Sequence, residues 1–259
     1  MKINKNMRLK AIKQHINSNF DIYFYDELKS TNSSLKELAE NGAKEGTIVI
    51  ALKQSEGRGT QGRKFYSPLN GIYMSMLIKS KQSQPIFLTV SIAVAVISAI
   101  KKVTGLKCGI KWVNDIFLNN KKIGGILTEG VFNRSSNKLE YAVVGVGINI
   151  SVPHNGFDKD IKNIAGALYN NEIDDKIYCK LVAEIIRQSY KQYKQVNRKK
   201  LIRKYQSYSI LINRDISFVQ NNETHIGKVV RISKNGKLVV NENGKNVKLS
   251  AGDVKILKL

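Results

Sequence analysis

A mixed α/β (α+β) sheet packed with helices, followed by a small all-β barrel, is the fold class predicted by this 259-residue sequence. Three observations carry it. Apolar strand patterns alternate with helical ones up to about residue 205, and the longest apolar run, Ile86 to Ile100, reads as one buried helix. After Asn213-Arg214 only short alternating strands with Asn-Gly turns remain. The predicted division is a short segment at 1–20, a main domain at 21–211 and the barrel at 212–259.

Residues 1 to 18 make at most one short basic helix, too little for a helix-turn-helix with its own core. Phe20 to Asp26 alternates like a strand. A helix then starts near Ser34, whose spacing to Glu37 is that of a capping box, and stops at Asn41-Gly42. Ser30, Thr31 and Asn32 are thereby assigned to the connection between strand and helix. Gly46 to Ala51 reads as a buried strand, leading into the glycine-rich stretch Gln54 to Pro68. Gly71 to Ile78 is a strand, and the helix from Ile86 to about Val103 follows Pro85.

Next come a strand from Leu106 to Trp112 and a hairpin of Ile116–Leu118 with Lys122–Glu129 across an Asn119-Asn120 turn. Leu139 to Ile150 is a strand whose glycines mark close approach of a ligand or another backbone. Lys176 to Gln206 has one helical period with ten Lys/Arg against a single acid, Glu184. The tail strands are Ile216–Val219, Ile226–Ile232, Leu238–Val240 and Val247–Leu249. Asn235-Gly236 and Asn243-Gly244 read as two-residue hairpin turns. So small a barrel has little core of its own and is expected to dock on the main domain.

Charge sets this sequence apart: 43 Lys+Arg against 20 Asp+Glu, a net +23. That balance selects acidic partners, whether nucleic acid, phosphate-bearing ligand, acidic protein or anionic lipid. Cys108 and Cys179 stand far apart and the three histidines stand alone, which argues against structural zinc or a disulfide framework and fits a reducing, cytoplasmic setting. The basic first ten residues are followed by no apolar core or cleavage site. The Ile86–Ile100 run would be roughly 22 Å long as a helix against a hydrocarbon core of about 30 Å, so no membrane partner is expected.

The chemistry starts in the loop Gly57-Arg58-Gly59-Thr60-Gln61-Gly62-Arg63, where glycines admit close backbone approach and two guanidinium groups bring fixed positive charge. It leaves a strand end, where ligands of open α/β sheets sit. Other polar residues fall at strand ends as well: Lys111, Asn114, Asp115, Lys122 and Asn149. One carboxylate among several cations, without a Ser/His/Asp set or paired acids, argues against hydrolysis. It suits the joining of two anions, as when a carboxylate attacks the α-phosphate of ATP with Mg²⁺ held near Asp115.

The stretch from Gly57 to Pro68 resembles the glycine/arginine-rich signature of biotin protein ligases. Four more motifs match in order: Ser30-Thr31-Asn32, Lys111-Trp112-Val113-Asn114-Asp115, Lys122-Ile123-Gly124-Gly125-Ile126-Leu127 and Gly145-Val146-Gly147-Ile148-Asn149. The resemblance covers residues 22 to 205 and implies a class II synthetase-like fold closed by an SH3-like barrel. It implies activation of biotin by MgATP to biotinyl-5′-AMP, then transfer to a lysine of a biotin carboxyl carrier domain. Residue by residue, it assigns Ser30, Thr31, Asn32, Gln54, Gly57, Arg58, Gly59, Thr60, Lys122, Gly125, Gly145 and Gly147 to biotin. It assigns Arg58, Arg63, Phe65, Lys111, Asn114, Asp115, Lys122 and Asn149 to ATP, and Asp115 to Mg²⁺. Lys122, Arg58 and Asp115 would carry the catalysis.

Thr60 stands where arginine is usual, which implies weaker retention of the adenylate, and Phe65 and Val113 stand where tryptophan and proline are common. The resemblance leaves a homodimer open. With no DNA-binding domain in residues 1–20, no specific DNA partner is expected. Two other readings stand beside this one: a basic nucleic-acid-binding protein, and a lipoate or octanoate ligase of the same fold.

Overall fold

The computed structural model describes residues 4–16, 20–69, 71–79, 85–133, 135–194, 197–220, 223–250 and 254–257. The helices are α1 (Lys5–Ile16), α2 (Thr31–Glu40), α3 (Pro85–Thr104), α4 (Asp175–Lys194) and α5 (Arg198–Tyr208). The strands of the main sheet are β1 (Ile22–Leu28), β2 (Ile48–Gln54), β3 (Gly71–Ile78), β4 (Gly109–Lys111), β5 (Asp115–Leu118), β6 (Lys121–Phe132) and β7 (Leu139–Asn149). They lie in the order β1-β2-β3-β7-β6-β5-β4. Only β1 and β2 run parallel; every other pair is antiparallel, so the sheet is mixed as the sequence predicts.

Every residue of β3 is buried, because helices cover both faces of the sheet. α1, α3, α4 and α5 share one core with Ile48, Ile50, Ile72 and Met74. α2 lies on the other face, where Leu35 and Ala39 meet Val49, Leu77 and Val143. α3 is long and apolar enough to cross a membrane, but most of it is buried in this core, as expected of a helix that is apolar all round. Pro85 opens it, where its missing N–H is harmless. The β5–β6 hairpin turns at Asn119 and Asn120, both at positive φ (48° and 61°), the conformation an Asn-rich two-residue turn supplies.

A second, five-stranded antiparallel sheet is built from β8 (Asp215–Gln220), β9 (Glu223–Ile232), β10 (Leu238–Glu242), β11 (Lys245–Leu249) and β12 (Val254–Ile256). The first four correspond to the expected strands; β12, only three residues long, has no sequence signal of its own. The second sheet docks on the main domain through the Trp112 indole N–H, just after β4, which donates to the Gly236 carbonyl at 2.8 Å, and through Gln206 of α5, whose side-chain oxygen accepts from the Ile232 N–H at 3.1 Å.

Three local expectations are corrected. α2 begins at Thr31, not near Ser34, so Thr31 and Asn32 lie in its first turn and Ser30 is the cap residue. The Ser30 side chain makes no capping bond; the Thr31 N–H is instead satisfied by the Gln54 side chain of β2 at 2.8 Å, a partner that local spacing cannot reveal. The basic helix from Lys176 is two helices, with Asn197 capping α5 by accepting from the Lys200 N–H at 3.0 Å. Residues 195 and 196 lie outside the described residues. Finally, Asn235-Gly236 is not a two-residue turn: Ser233 and Lys237 close a longer loop. Asn243-Gly244 is one, with Glu242 paired to Lys245.

Candidate active site

One cavity of about 660 Å³ opens over the C-terminal end of β2 and across β7, β6 and β5. Arg58, Lys111 and Lys122 all line it, and so do Ser30, Thr31 and Asn32. The cations that the sequence scatters over three turns therefore share one space with the polar triplet. Gln54, Gly59, Thr60, Arg63, Phe65, Asn114, Asp115, Gly125, Gly145, Gly147 and Asn149 border the same cavity. Gly57 stands behind it and is buried, its carbonyl accepting from the Phe65 N–H at 2.8 Å.

The glycine-rich stretch is a hairpin rather than an open loop. Arg58 bridges to Lys64, Gly59 donates to the Arg63 carbonyl at 2.7 Å, and a short 3₁₀ turn at Thr60–Gly62 forms the tip. A Cβ at Gly57 would lie 2.3 Å from the Phe65 carbonyl, so glycine is needed where the two arms cross. Gln61, at φ 57°, and Gly62, at φ 73°, let the tip turn back, with the Gln61 side chain accepting from Arg63 at 3.0 Å.

At the polar end, hydrogen bonds link the triplet to its neighbours. Gln54 accepts from both the Thr31 N–H and hydroxyl and donates to Ser67 at 2.9 Å. Ser75, fully buried on β3, faces Thr31 Oγ1 at 2.8 Å and Asn32 Oδ1 at 2.6 Å. The two β7 glycines make room for protein side chains: a Cβ at Gly145 would fall 2.3 Å from Asn32 Oδ1, and one at Gly147 would fall 2.6 Å from Phe65. Gly125 differs, since nothing of the protein comes closer than the Asp115 carboxylate at 3.5 Å. A Cβ there would make only ordinary van der Waals contact, so the surrounding protein itself does not demand a glycine.

At the charged end, Asp115 pairs with Lys122 at 2.7 Å. The turn carrying Asp115 is held from below by the Tyr205 hydroxyl of α5, which donates to the Val113 carbonyl at 2.9 Å. Burial, with the Asp115 charge nearby, pushes the Tyr205 phenol well above its ordinary value, so it remains a neutral donor. The strap 161–166 clips over Lys122, whose N–H and C=O both bond it, and the Asn149 amide donates to the Gly166 carbonyl at 2.9 Å. Ser250, Val254 and Lys255 close the cavity from the second sheet.

Residues 24–149 match the model of the Biotin/lipoate A/B protein ligase family. The bifunctional ligase/repressor BirA of Bacillus subtilis is 31% identical over 242 residues, spanning 91% of this chain and 74% of that protein. The chain belongs to the biotin protein ligases of this family. The biotin--[acetyl-CoA-carboxylase] ligase of Mycobacterium tuberculosis is 26% identical, covering 87% of this chain and 85% of its own length. A solved biotin protein ligase from Aquifex aeolicus, in complex with biotin and ATP, superposes with a TM-score of 0.75 at 25% identity, over 92% of this chain and 99% of that one.

Around this candidate site stand residues that sequence reasoning missed. Glu129 of β6 accepts from the Asn32 amide at 2.6 Å and from Lys36 of α2 at 2.5 Å. Burial works against its ionisation, yet hydrogen bonds from Lys36 and Asn32, with the Lys36 and Arg58 charges, hold the carboxyl below its ordinary value. Ser67 and Ser75 complete the polar network. The one available signal was period: Glu129 lies two residues past Leu127, on the same face of β6 as Gly125. Neither cysteine is available for chemistry. Burial pushes Cys108 to about 12 and Cys179 to about 11, leaving both as thiols at neutral pH. Among the described residues no group of three His, Cys, Asp or Glu could hold a metal ion.

Proposed function

We propose that this chain activates biotin with MgATP to biotinyl-5′-adenylate, releasing pyrophosphate, and then transfers the biotinyl group to one lysine of the biotin carboxyl carrier domain of acetyl-CoA carboxylase or a related carboxylase. The observation that carries the reading is the meeting of Arg58, Lys111 and Lys122 in one cavity whose far end is made of neutral donors and acceptors. A neutral urea head needs hydroxyls and amides, and Ser30, Thr31, Asn32 and Gln54 supply them. A carboxylate attacking a phosphate needs cations. At about 4 Å each unit-charge repulsion costs about 4 kcal/mol at an effective dielectric of 20, and fixed cations offset it while stabilising charge on the pentacoordinate phosphorus.

In this reading the biotin chain runs over Gly125 to place its carboxylate between Arg58 and Lys122, and Gly57, Gly59 and Thr60 form the cover. Arg63 and Lys111 take phosphate oxygens, Phe65 flanks adenine, and Asn114 and Asn149 line the nucleotide. Asp115 orients the Lys122 ammonium. As the only acid among the described residues lining the cavity, Asp115 is also the residue that would hold a magnesium ion arriving on the nucleotide phosphates. Such an ion would add neutralising charge. In the second step the lysine amine attacks the acyl carbon, the acyl–oxygen bond to phosphate breaks, and AMP leaves. We assign the first step to residues 21–211, with 212–259 closing the site, and place the enzyme in the cytoplasm.

The test is incubation with biotin, MgATP and a purified carrier domain, read by mass gain on one lysine, alongside pyrophosphate exchange into ATP. Exchange driven by biotin and not by lipoate supports the reading. Exchange driven by lipoate or octanoate alone would replace it with the sister activity.

A further inference from the structure

We infer that Glu129 is a positioning residue that locks the Asn32 amide with its carbonyl oxygen toward the cavity, so that the site offers an acceptor to an N–H of a neutral urea head group. This rests on the biotin reading above and deepens it.

An ionised carboxylate can only accept hydrogen bonds, so the amide edge facing it must be the NH₂. Glu129 Oε2 lies 2.6 Å from Asn32 Nδ2, and the second amide hydrogen has the Leu127 carbonyl 3.4 Å away. Asn32 Oδ1 is thereby turned to the Ser75 hydroxyl at 2.6 Å and lies over Gly145, where even a methyl group would displace it. One hydroxyl uses one lone pair of a carbonyl oxygen. The second lone pair is what Asn32, a residue lining the cavity, has left to offer. The lock needs charge as well as shape. Lys36 holds the other carboxylate oxygen at 2.5 Å, and a carboxylate has an oxygen for each donor.

A glutamine at this position has only one oxygen. In Glu129→Gln the Lys36 ammonium claims that oxygen, because a bond from a charged donor is the stronger. The glutamine NH₂ then faces Asn32, whose amide must turn over and present a donor to the cavity. Removing Lys36 in the same molecule frees the glutamine oxygen to face Asn32, and the amide turns back.

The experiment compares wild type, Glu129→Gln, Lys36→Met and the double variant at pH 8 by biotin-dependent pyrophosphate exchange, with thermal unfolding as the check on folding. The expected result is a KM for biotin raised about 10-fold or more in Glu129→Gln, the range that follows from leaving a buried polar group unpaired. The KM for ATP stays within about twofold, Lys36→Met stays near wild type, and the double variant recovers to within about threefold of wild type. A lost ion pair with no part in orienting Asn32 gives the opposite pattern: Lys36→Met as impaired as Glu129→Gln, and a double variant no better than either. That pattern, in an active wild type, overturns the inference alone. A wild type without biotin-driven exchange overturns the activity reading and this inference with it. Should Glu129→Gln fail to fold, Lys36→Met decides: near-wild-type KM supports the lock, and a 10-fold rise removes it.

Discussion

The Asp115 carboxylate of β5 and the Lys122 ammonium of β6 stand 2.7 Å apart across neighbouring antiparallel strands, with 24% and 34% of their side chains exposed. A pair this open to water adds little to stability, so its effect is positional. Lys122→Met is expected to lower the rate of adenylate formation by about 10²–10³-fold, the usual cost of removing one group that stabilises charge in a transition state. Asp115→Asn keeps the ammonium but frees it to wander, and a smaller loss of about 10-fold is expected. Both variants should unfold within about 1 kcal/mol of wild type. Single-turnover adenylate formation checks this; a Lys122→Met rate within about threefold of wild type would remove Lys122 from the chemistry.

Two glycines of the site separate a structural demand from a local one. A Cβ on Gly124 would lie 2.3 Å from the Gly147 carbonyl, which is backbone and cannot move without parting β6 from β7. Gly124→Ala is therefore expected to cost about 1–3 kcal/mol of stability. A Cβ on Gly147 would meet the ring of Phe65 at 2.6 Å, and a ring can swing aside. Gly147→Ala should stay folded while the KM for ATP rises several-fold. Denaturant unfolding with ATP titration tells the two apart, and equal loss of stability in both would contradict the argument.

The sheet, the buried α3 and four strands of the second sheet were legible because strand alternation and a long apolar run are local signals. The cavity residues were legible for a different reason: Arg58, Lys111 and Lys122 sit at strand ends, where an open sheet gathers its ligands. What could not be read was long-range. The start of α2 is set by Gln54, 23 residues away from Thr31, and the state of Asn32 by Glu129, 97 residues away. The loop at Asn235-Gly236 is shaped by docking, since Gly236 packs on Val90 and Ile86 and accepts from Trp112. No window of sequence contains such partners.

That last contact ties the second sheet to the site. Trp112 is buried within the Lys111–Asp115 turn, and its indole N–H is donated to the buried Gly236 carbonyl at 2.8 Å. Trp112→Phe keeps most of the apolar area but leaves that carbonyl without its donor, at a cost of about 1–3 kcal/mol. Faster proteolysis between α5 and β8 is expected, together with weaker ATP binding. Unchanged cleavage rates would show that the sheet is held without this bond.

Thr60 is exposed at the tip of the Arg58–Lys64 hairpin and borders the cavity. Its side chain brings no charge to an anionic acyl-phosphate. Thr60→Arg adds a cation at the rim, and slower release of the adenylate is the expected outcome, by about 10-fold. Equal off-rates for the two proteins, measured by trapping released adenylate, would show that the hairpin tip plays no part in retention.

Acid should unfold this protein through its depressed carboxylates. Burial opposes ionisation of Glu129 and Glu184, but hydrogen bonds from Lys36 and Asn32 in one case, and from Arg187, Gln188 and Lys102 in the other, bring both below their ordinary value of 4.5. A carboxyl depressed in the folded state binds fewer protons there than in the unfolded chain, so its stabilisation is complete above pH 4.5 and fades as pH falls through the folded values. His225 works the other way. The Glu242 hydrogen bond raises it above 6.5, giving stability that is full below that pH and lost as pH rises through the folded value. The stability profile should therefore fall gently as pH rises from 6.5 through the folded value of His225 and steeply below pH 4.5. Glu129→Gln removes one titrating group and should flatten the acid limb while leaving the alkaline limb unchanged. Urea unfolding between pH 3 and 8 measures both limbs, and an acid limb of the same slope in the variant would place the loss elsewhere.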